Sequence, residues 1–213
     1  MANSIVAGNS TNGGTAISTD TSGTLNIVTG SGSGATAVTV DGSGNVVITG
    51  TITASGGVSG GIRSGTAIAS TSGTSIDFTS LPTGIKRITV MFSGVSTNGT
   101  SLMQIQIGSG SVTTSGYLGT AGIYPTQSGV AFTSGFGLDQ TGAAASVRHS
   151  LYTICLLGSN AYVGSGVFTY SNAAVVGQSS GSVTLGGALD RVRITTVNGT
   201  DTFDAGTINI LFE

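Results

Sequence analysis

Residues 85–92 read Ile-Lys-Arg-Ile-Thr-Val-Met-Phe, and residues 103–107 read Met-Gln-Ile-Gln-Ile. In the first stretch Ile88, Val90 and Phe92 fall on one side of an extended chain and Arg87 and Thr89 on the other. In the second, Met103, Ile105 and Ile107 oppose Gln104 and Gln106. Successive side chains of a strand point to opposite faces, so such alternation marks a strand with one face in a core. The pattern returns where Val192 and Ile194 alternate with Arg191, Arg193 and Thr195, and Ile208, Ile210 and Phe212 close the chain. Leu151–Leu157 differs in being apolar on both sides, as a strand covered on each face would be. Gly-, Ser- and Asn-rich turns separate these runs. About eight to ten strands in residues 62–213 indicate a β-sandwich, with the jelly roll as one form of it.

Composition supports the same class. Gly, Ser and Thr contribute 37, 30 and 33 of the 213 residues. Gly costs roughly 1 kcal/mol per helical position relative to Ala, and Ser and Thr are weak helix formers. The longest stretch without Gly or Pro is Ala143–Leu157, and a helix there is the alternative to a strand. Disorder, the other outcome open to Gly/Ser/Thr-rich chains, accompanies low hydropathy and high net charge. Here the mean hydropathy is +0.36 and the net charge is −2. The chain reads as all-β.

Several function classes are disfavoured. Five Arg and one Lys leave no basic footprint, so no nucleic-acid partner is expected. No run approaches the ~18 apolar residues of a membrane helix, so no membrane insertion is expected, and MANSIVAGNS lacks the regions of a signal peptide. The single cysteine, Cys155, excludes an intrachain disulfide and is expected as a small buried hydrophobe. His149 is the only histidine, and it reads as a strand residue beside Arg148 rather than a base. Gly-x-Ser-x-Gly occurs at Gly57–Gly61 and Gly177–Gly181, in neither case within a strand–turn–helix pattern. One Cys and one His cannot supply a zinc tetrad, although a three-fold axis could gather copies of His149. Asp201-Thr202-Phe203-Asp204 has oxygens for Ca²⁺ but reads better as a solvated turn. Nothing marks a carboxylate pair for glycoside cleavage among Asp77, Asp139, Asp190, Asp201, Asp204 and Glu213, and Asp190 is expected to pair with Arg191 or Arg193. No catalytic residue, metal site or cofactor is therefore expected.

Surface recognition remains. Tyr117 and Tyr124 lie in the loop-like stretch 116–129, and Phe136 in 133–137. Aromatic rings in polar loops are common binding anchors, facing a receptor. The alternative is that they tuck under the loops and complete the core.

The N-terminal quarter is different in kind. No Lys or Arg precedes Arg63, and the first aromatic residue is Phe78. Such a segment cannot bury enough apolar area to offset its own backbone entropy, so other chains are expected to cover it. Short alternating runs, Leu25-Asn26-Ile27, Thr36–Val40, Val46–Ile48 and Thr51-Ile52-Thr53, are separated by glycine-rich turns. The halves Thr19-Asp20-Thr21-Ser22-Gly23-Thr24-Leu25-Asn26-Ile27 and Thr36-Ala37-Val38-Thr39-Val40-Asp41-Gly42-Ser43-Gly44-Asn45-Val46 make Ile5–Gly57 similar to the N-terminal region of bacteriophage fibre proteins. The resemblance implies a homotrimer with an intertwined β stem. Residues 1–22 would dock on other virion proteins, 23–61 would form the stem, and 62–213 would form a terminal β domain. In that picture Leu25, Ile27, Val38, Val40, Val46, Ile48 and Ile52 line the interface between chains. The expected role is a structural virion protein that presents the terminal domain to a host-surface glycan or protein. The alternative is a capsid-decorating head fibre.

Overall fold

The computed structural model describes residues 25–28, 36–40, 43–48, 61–124, 129–144 and 146–213. The chain divides between Ser59 and Gly60 into two units. In the first, β1 (Leu25–Val28), β2 (Thr36–Val40) and β3 (Val46–Ile48) form an antiparallel sheet in chain order. Leu25, Val40 and Val46 stand opposite one another across it, as do Ile27, Val38 and Ile48. The intervening row is Asn26, Thr39 and Val47. Ile52 lies outside the described residues, as does the segment 1–22.

The second unit comprises β4 (Arg63–Ser64), β5 (Ile68–Ala69), β6 (Ser75–Phe78), β7 (Arg87–Thr97), β8 (Met103–Ser109), β9 (Ser111–Val112), β10 (Leu118–Ile123), β11 (Gly129–Phe132), β12 (Phe136–Gly137), β13 (Arg148–Gly158), β14 (Ala161–Tyr170), β15 (Val175–Thr184), β16 (Arg191–Thr196) and β17 (Phe203–Phe212). No helix occurs among the described residues. Four pairings define the fold: β5 with β17, β6 with β16, β7 with β13 and β8 with β12, all antiparallel. First pairs with last and second with next to last, which is the wound hairpin of a jelly roll. The sequence expectation of eight to ten strands falls short because β9–β11 are inserted between β8 and β12, and β14–β15 between β13 and β16. Four of the inserted strands widen one sheet, giving the order β11-β10-β15-β14-β13-β7-β17-β4 with β5 beside β17; the other sheet runs β12-β8-β16-β6 with β9 beside β8.

The core lies between the sheets. Ile88, Val90 and Phe92 of β7 and Ile208 and Ile210 of β17 face Ile105 and Ile107 of β8 and Val192 and Ile194 of β16, all buried. Fully burying such a side chain contributes about 1.5–3 kcal/mol. Ala121, Phe132, Phe168 and Tyr170 make a satellite cluster beneath the inserted strands. Two expectations change, while the strand reading of Leu151–Leu157 holds over the helical alternative, because these residues lie in β13. Leu151, Cys155 and Leu157 on its outer side are exposed, so β13 is covered on one face only. Gln104 and Gln106 are buried, because the 133–137 segment covers them: Gln106 Nε2 donates to the Ser134 carbonyl (2.8 Å), and the Ser134 hydroxyl donates to Gln104 Oε1 (2.8 Å).

A buried polar cluster ties the sheets. The Asp139 carboxylate accepts from Arg148 Nε (2.8 and 3.0 Å), the Tyr170 hydroxyl (2.7 Å) and the Met103 N–H (2.9 Å). Arg148 Nη1 donates to the Ser146 carbonyl (2.9 Å). Removing one partner of a buried pair leaves an uncompensated charge and costs about 3–5 kcal/mol. Asp139→Ala should lower the urea-unfolding free energy by that amount, and Asp139→Leu with Arg148→Met should recover most of it.

Burial also sets the alkaline limit of stability. It pushes Tyr117 up to about 12 and raises Tyr152 and Tyr170 above the ordinary tyrosine range, with the neighbouring Asp139 charge adding to the rise at Tyr170. These phenols keep their protons in the folded chain and lose them in the unfolded chain near the ordinary value of about 10. Their contribution is therefore complete below that pH and lost as pH rises through the folded values. Urea midpoints should fall steadily above pH about 10, and Tyr117→Phe should flatten the decline.

Candidate functional site

Charge is unevenly spread over the outside of the sandwich. On the smaller sheet, Arg193 of β16 donates to Asp77 of β6 (2.6 Å), and Arg191 donates to Asp190 (2.7 Å), holding the Asp190 carboxyl below its usual range. On the larger sheet, β10, β11, β14 and β15 contain no Lys, Arg, His, Asp or Glu at all. The sheet's cations stand elsewhere: Arg87 pairs with Glu213 (2.6 Å), and Arg63 stacks over Phe212 (5.2 Å). Exposed apolar side chains gather on the neutral side, among them Leu118, Leu151, Leu157, Val163, Val167 and Val176.

That neutral side is hollowed into a trough. Ser165 of β14, Ser180 of β15 and Thr120 of β10 stand opposite one another, and the next outward row is Val167, Gln178 and Gly122, with Gly129 of β11 beyond. Gly122 carries no side chain, so the surface dips there, while the Thr120 methyl fills the space over Gly129. The hollow has a volume of about 530 Å³ and includes Tyr124, which is 62% exposed. Tyr124 is held in place where its N–H donates to the Val176 carbonyl (3.0 Å). A second lobe of about 680 Å³ continues past Thr120 and Ser180 between Leu118, Val163 and Ser182.

Of the three rings read as receptor-facing, Tyr124 alone is at the surface. Tyr117 and Phe136 are each 1% exposed and belong to the core, packed edge-to-face at 5.2 Å. The Tyr117 hydroxyl accepts from the Ile107 N–H (2.8 Å) and donates to the Ile107 carbonyl (3.3 Å), so its polar end is satisfied inside. Within 116–129, residues 118–123 form β10 rather than loop, and its small residues mask the strand pattern.

The other candidate chemistry is dispersed. Ser179 of the second Gly-x-Ser-x-Gly match lies within β15, buried, with its hydroxyl donated to the Gly137 carbonyl (2.6 Å); the first match falls mostly outside the described residues. Tyr152 lies beside Ser179, whose hydroxyl donates to the Gly137 carbonyl and keeps acceptor lone pairs toward the phenol. His149 Nδ1 accepts from the Gly94 N–H (3.3 Å). Asp201 holds Ser101 N–H (2.8 Å) and Asn198 Nδ2 (2.6 Å), whereas Asp204 binds the Ser96 hydroxyl, so the two acids do not converge. No group of three or more metal-ligating acidic, His or Cys residues occurs among the described residues. Cys155 is exposed, contrary to expectation, because it points outward from β13.

The outward residues that make the trough were missed because serine, threonine and glycine are abundant everywhere in this chain. Register across β10, β14 and β15, which brings them together, is not written in any one segment. Comparison with known protein families, characterised proteins and solved structures finds no match.

Cys155 reports on this face. With native chain dissociated to single copies at high dilution, Ellman's reagent should modify one thiol per chain without denaturant. Protection in that state would place the β13 outer face under cover.

Proposed function

We propose that the chain is a structural protein of a bacteriophage virion, a trimeric fibre or spike whose stem is shared between copies and whose jelly roll is presented to the host surface. One observation carries the oligomeric part. In the first unit Val40 pairs with Val46 and Val38 with Ile48, pairs that fall on the same side of the sheet by the two-residue alternation of strands, with Leu25 and Ile27 at the matching backbone positions. Val46 is 59% exposed and Ile48 41% exposed in the single chain, and Val47 of the intervening row is 59% exposed. A three-stranded sheet with an uncovered apolar side needs a partner for stability. Copies of the same sheet, with the same side turned inward, supply one.

The resemblance of Ile5–Gly57 to phage fibre stems supplies the setting, and a charge-poor second unit suits a domain displayed on a particle. Stability in such particles is a matter of slow unfolding, to which shared strands contribute. Native mass spectrometry or light scattering should give three chains for the full-length protein and fewer for a chain lacking residues 1–61. Val46→Asp with Ile48→Asp should dissociate it likewise. A single-chain mass for the intact protein would overturn the reading.

A further inference from the structure

We infer that the trough across β14, β15 and β10 binds a neutral oligosaccharide. The inference rests on the reading of the jelly roll as a recognition unit and gives that unit a ligand class. The lining offers the hydroxyls of Thr120, Ser165 and Ser180 and the amide of Gln178. None of these side chains makes a hydrogen bond to the described residues, so their capacity faces outward. A hydroxyl both donates and accepts, and an amide presents one of each function on adjacent atoms. Sugar hydroxyls have the same dual character and match such a surface without a net charge on either side.

Shape and charge narrow the class. Among the described residues no cation lines either lobe, so sulfated, sialylated and phosphorylated ligands find no counter-charge. No carboxylate lines them, which removes basic peptides and metal ions. The dip at Gly122 lets a ring come close to the backbone, while Tyr124 at the same end offers an exposed aromatic ring for the apolar C–H face of a pyranose. An aromatic body with a polar tip suits a ligand that is itself half apolar. The second lobe, past Ser180, gives room for a further sugar unit, so a chain rather than a single monosaccharide fills the length.

The test uses the full-length protein on an array of short neutral hexose and N-acetylhexosamine oligosaccharides, with sialylated and sulfated ones beside them, followed by titration calorimetry on the strongest neutral hit. Binding of neutral oligosaccharides is expected, with single-site affinity of about millimolar or somewhat tighter. Tyr124→Ala and Gln178→Ala should each weaken it about tenfold. Thr120→Trp, which fills the trough from an outward position, should abolish it, and Thr71→Trp, far from it in sequence and exposed, should leave it unchanged. Thermal melts of each variant confirm folding. Failure of the folded wild-type chain to bind any neutral oligosaccharide, preference for the charged ones, or binding that survives Thr120→Trp would each overturn the inference. The two readings fail separately. A single-chain mass defeats the fibre and leaves the trough intact, whereas a trimer indifferent to neutral glycans defeats the trough alone.

Discussion

One carboxylate joins the two sheets. Asp139 sits on the connection from β12 of the smaller sheet to β13 of the larger, and its oxygens collect donors from β8, β13 and β14. Ionised and fully buried, it would be intolerable alone, since an unpaired interior charge costs several kcal/mol. Arg148, 2% exposed, supplies the counter-charge from the first residue of β13, with its guanidinium 5.4 Å from the Tyr170 ring. The connection is thereby pinned where it leaves one layer and enters the other. Tyr170 at the end of β14 extends the same cluster to the inserted hairpin, so the placement of β14 and β15, and of the trough they carry, depends on this point.

The chain then has to fill a sandwich with few large side chains, and glycine makes that feasible. A Cβ at Gly164 would come within 2.7 Å of Tyr152 Cε1, and one at Gly177 would run into the Phe168 ring. In each case the missing side chain is the socket for an aromatic ring from a neighbouring strand. Small residues on the inner side of β15 let β12 lie close, where the Ser179 hydroxyl reaches the Gly137 carbonyl. Small residues on the outer side of the same strands produce the trough. Core and surface feature thus share a cause: strands that carry little on either face.

This explains what was legible in the sequence. The strands that read clearly, β7, β8, β16 and β17, alternate bulky apolar with polar residues, and alternation tells which side faces a core. It does not tell what lies over the other side. Gln104 and Gln106 looked solvated and are roofed by Ser134 and Gly135, whereas Leu151 and Cys155 looked covered and are bare. Both errors concern the second face of a strand, which local pattern cannot assign. For Tyr117 the sequence left a loop anchor and a core ring both open, and the structure puts it in the core. Its neighbours Gly116, Gly119 and Gly122 resemble loop composition, yet they are what allows β10 to pack closely, with Gly119 directly opposite Gly181.

The absence of charged residues from the inserted strands β10, β11, β14 and β15 is the feature with the most bearing on function. A solvated face costs nothing to leave alone, and the smaller sheet's Asp77–Arg193 and Asp190–Arg191 pairs make it such a face. The inserted strands of the larger sheet instead carry hydroxyls and small apolar groups, with one exposed tyrosine beside them. Hydroxyls keep it wettable, so it does not force tight association as a continuous apolar patch would. It is suited instead to contacts of low individual affinity whose strength comes from repetition. In the proposed trimer, three linked copies, each at an effective local concentration near millimolar for its neighbours' ligands, would turn a weak single contact into firm attachment by a factor on the order of 10²–10⁴. Weakness at each site is then consistent with strength overall, provided the sites face the same surface, and a shared stem is what would hold them in that orientation.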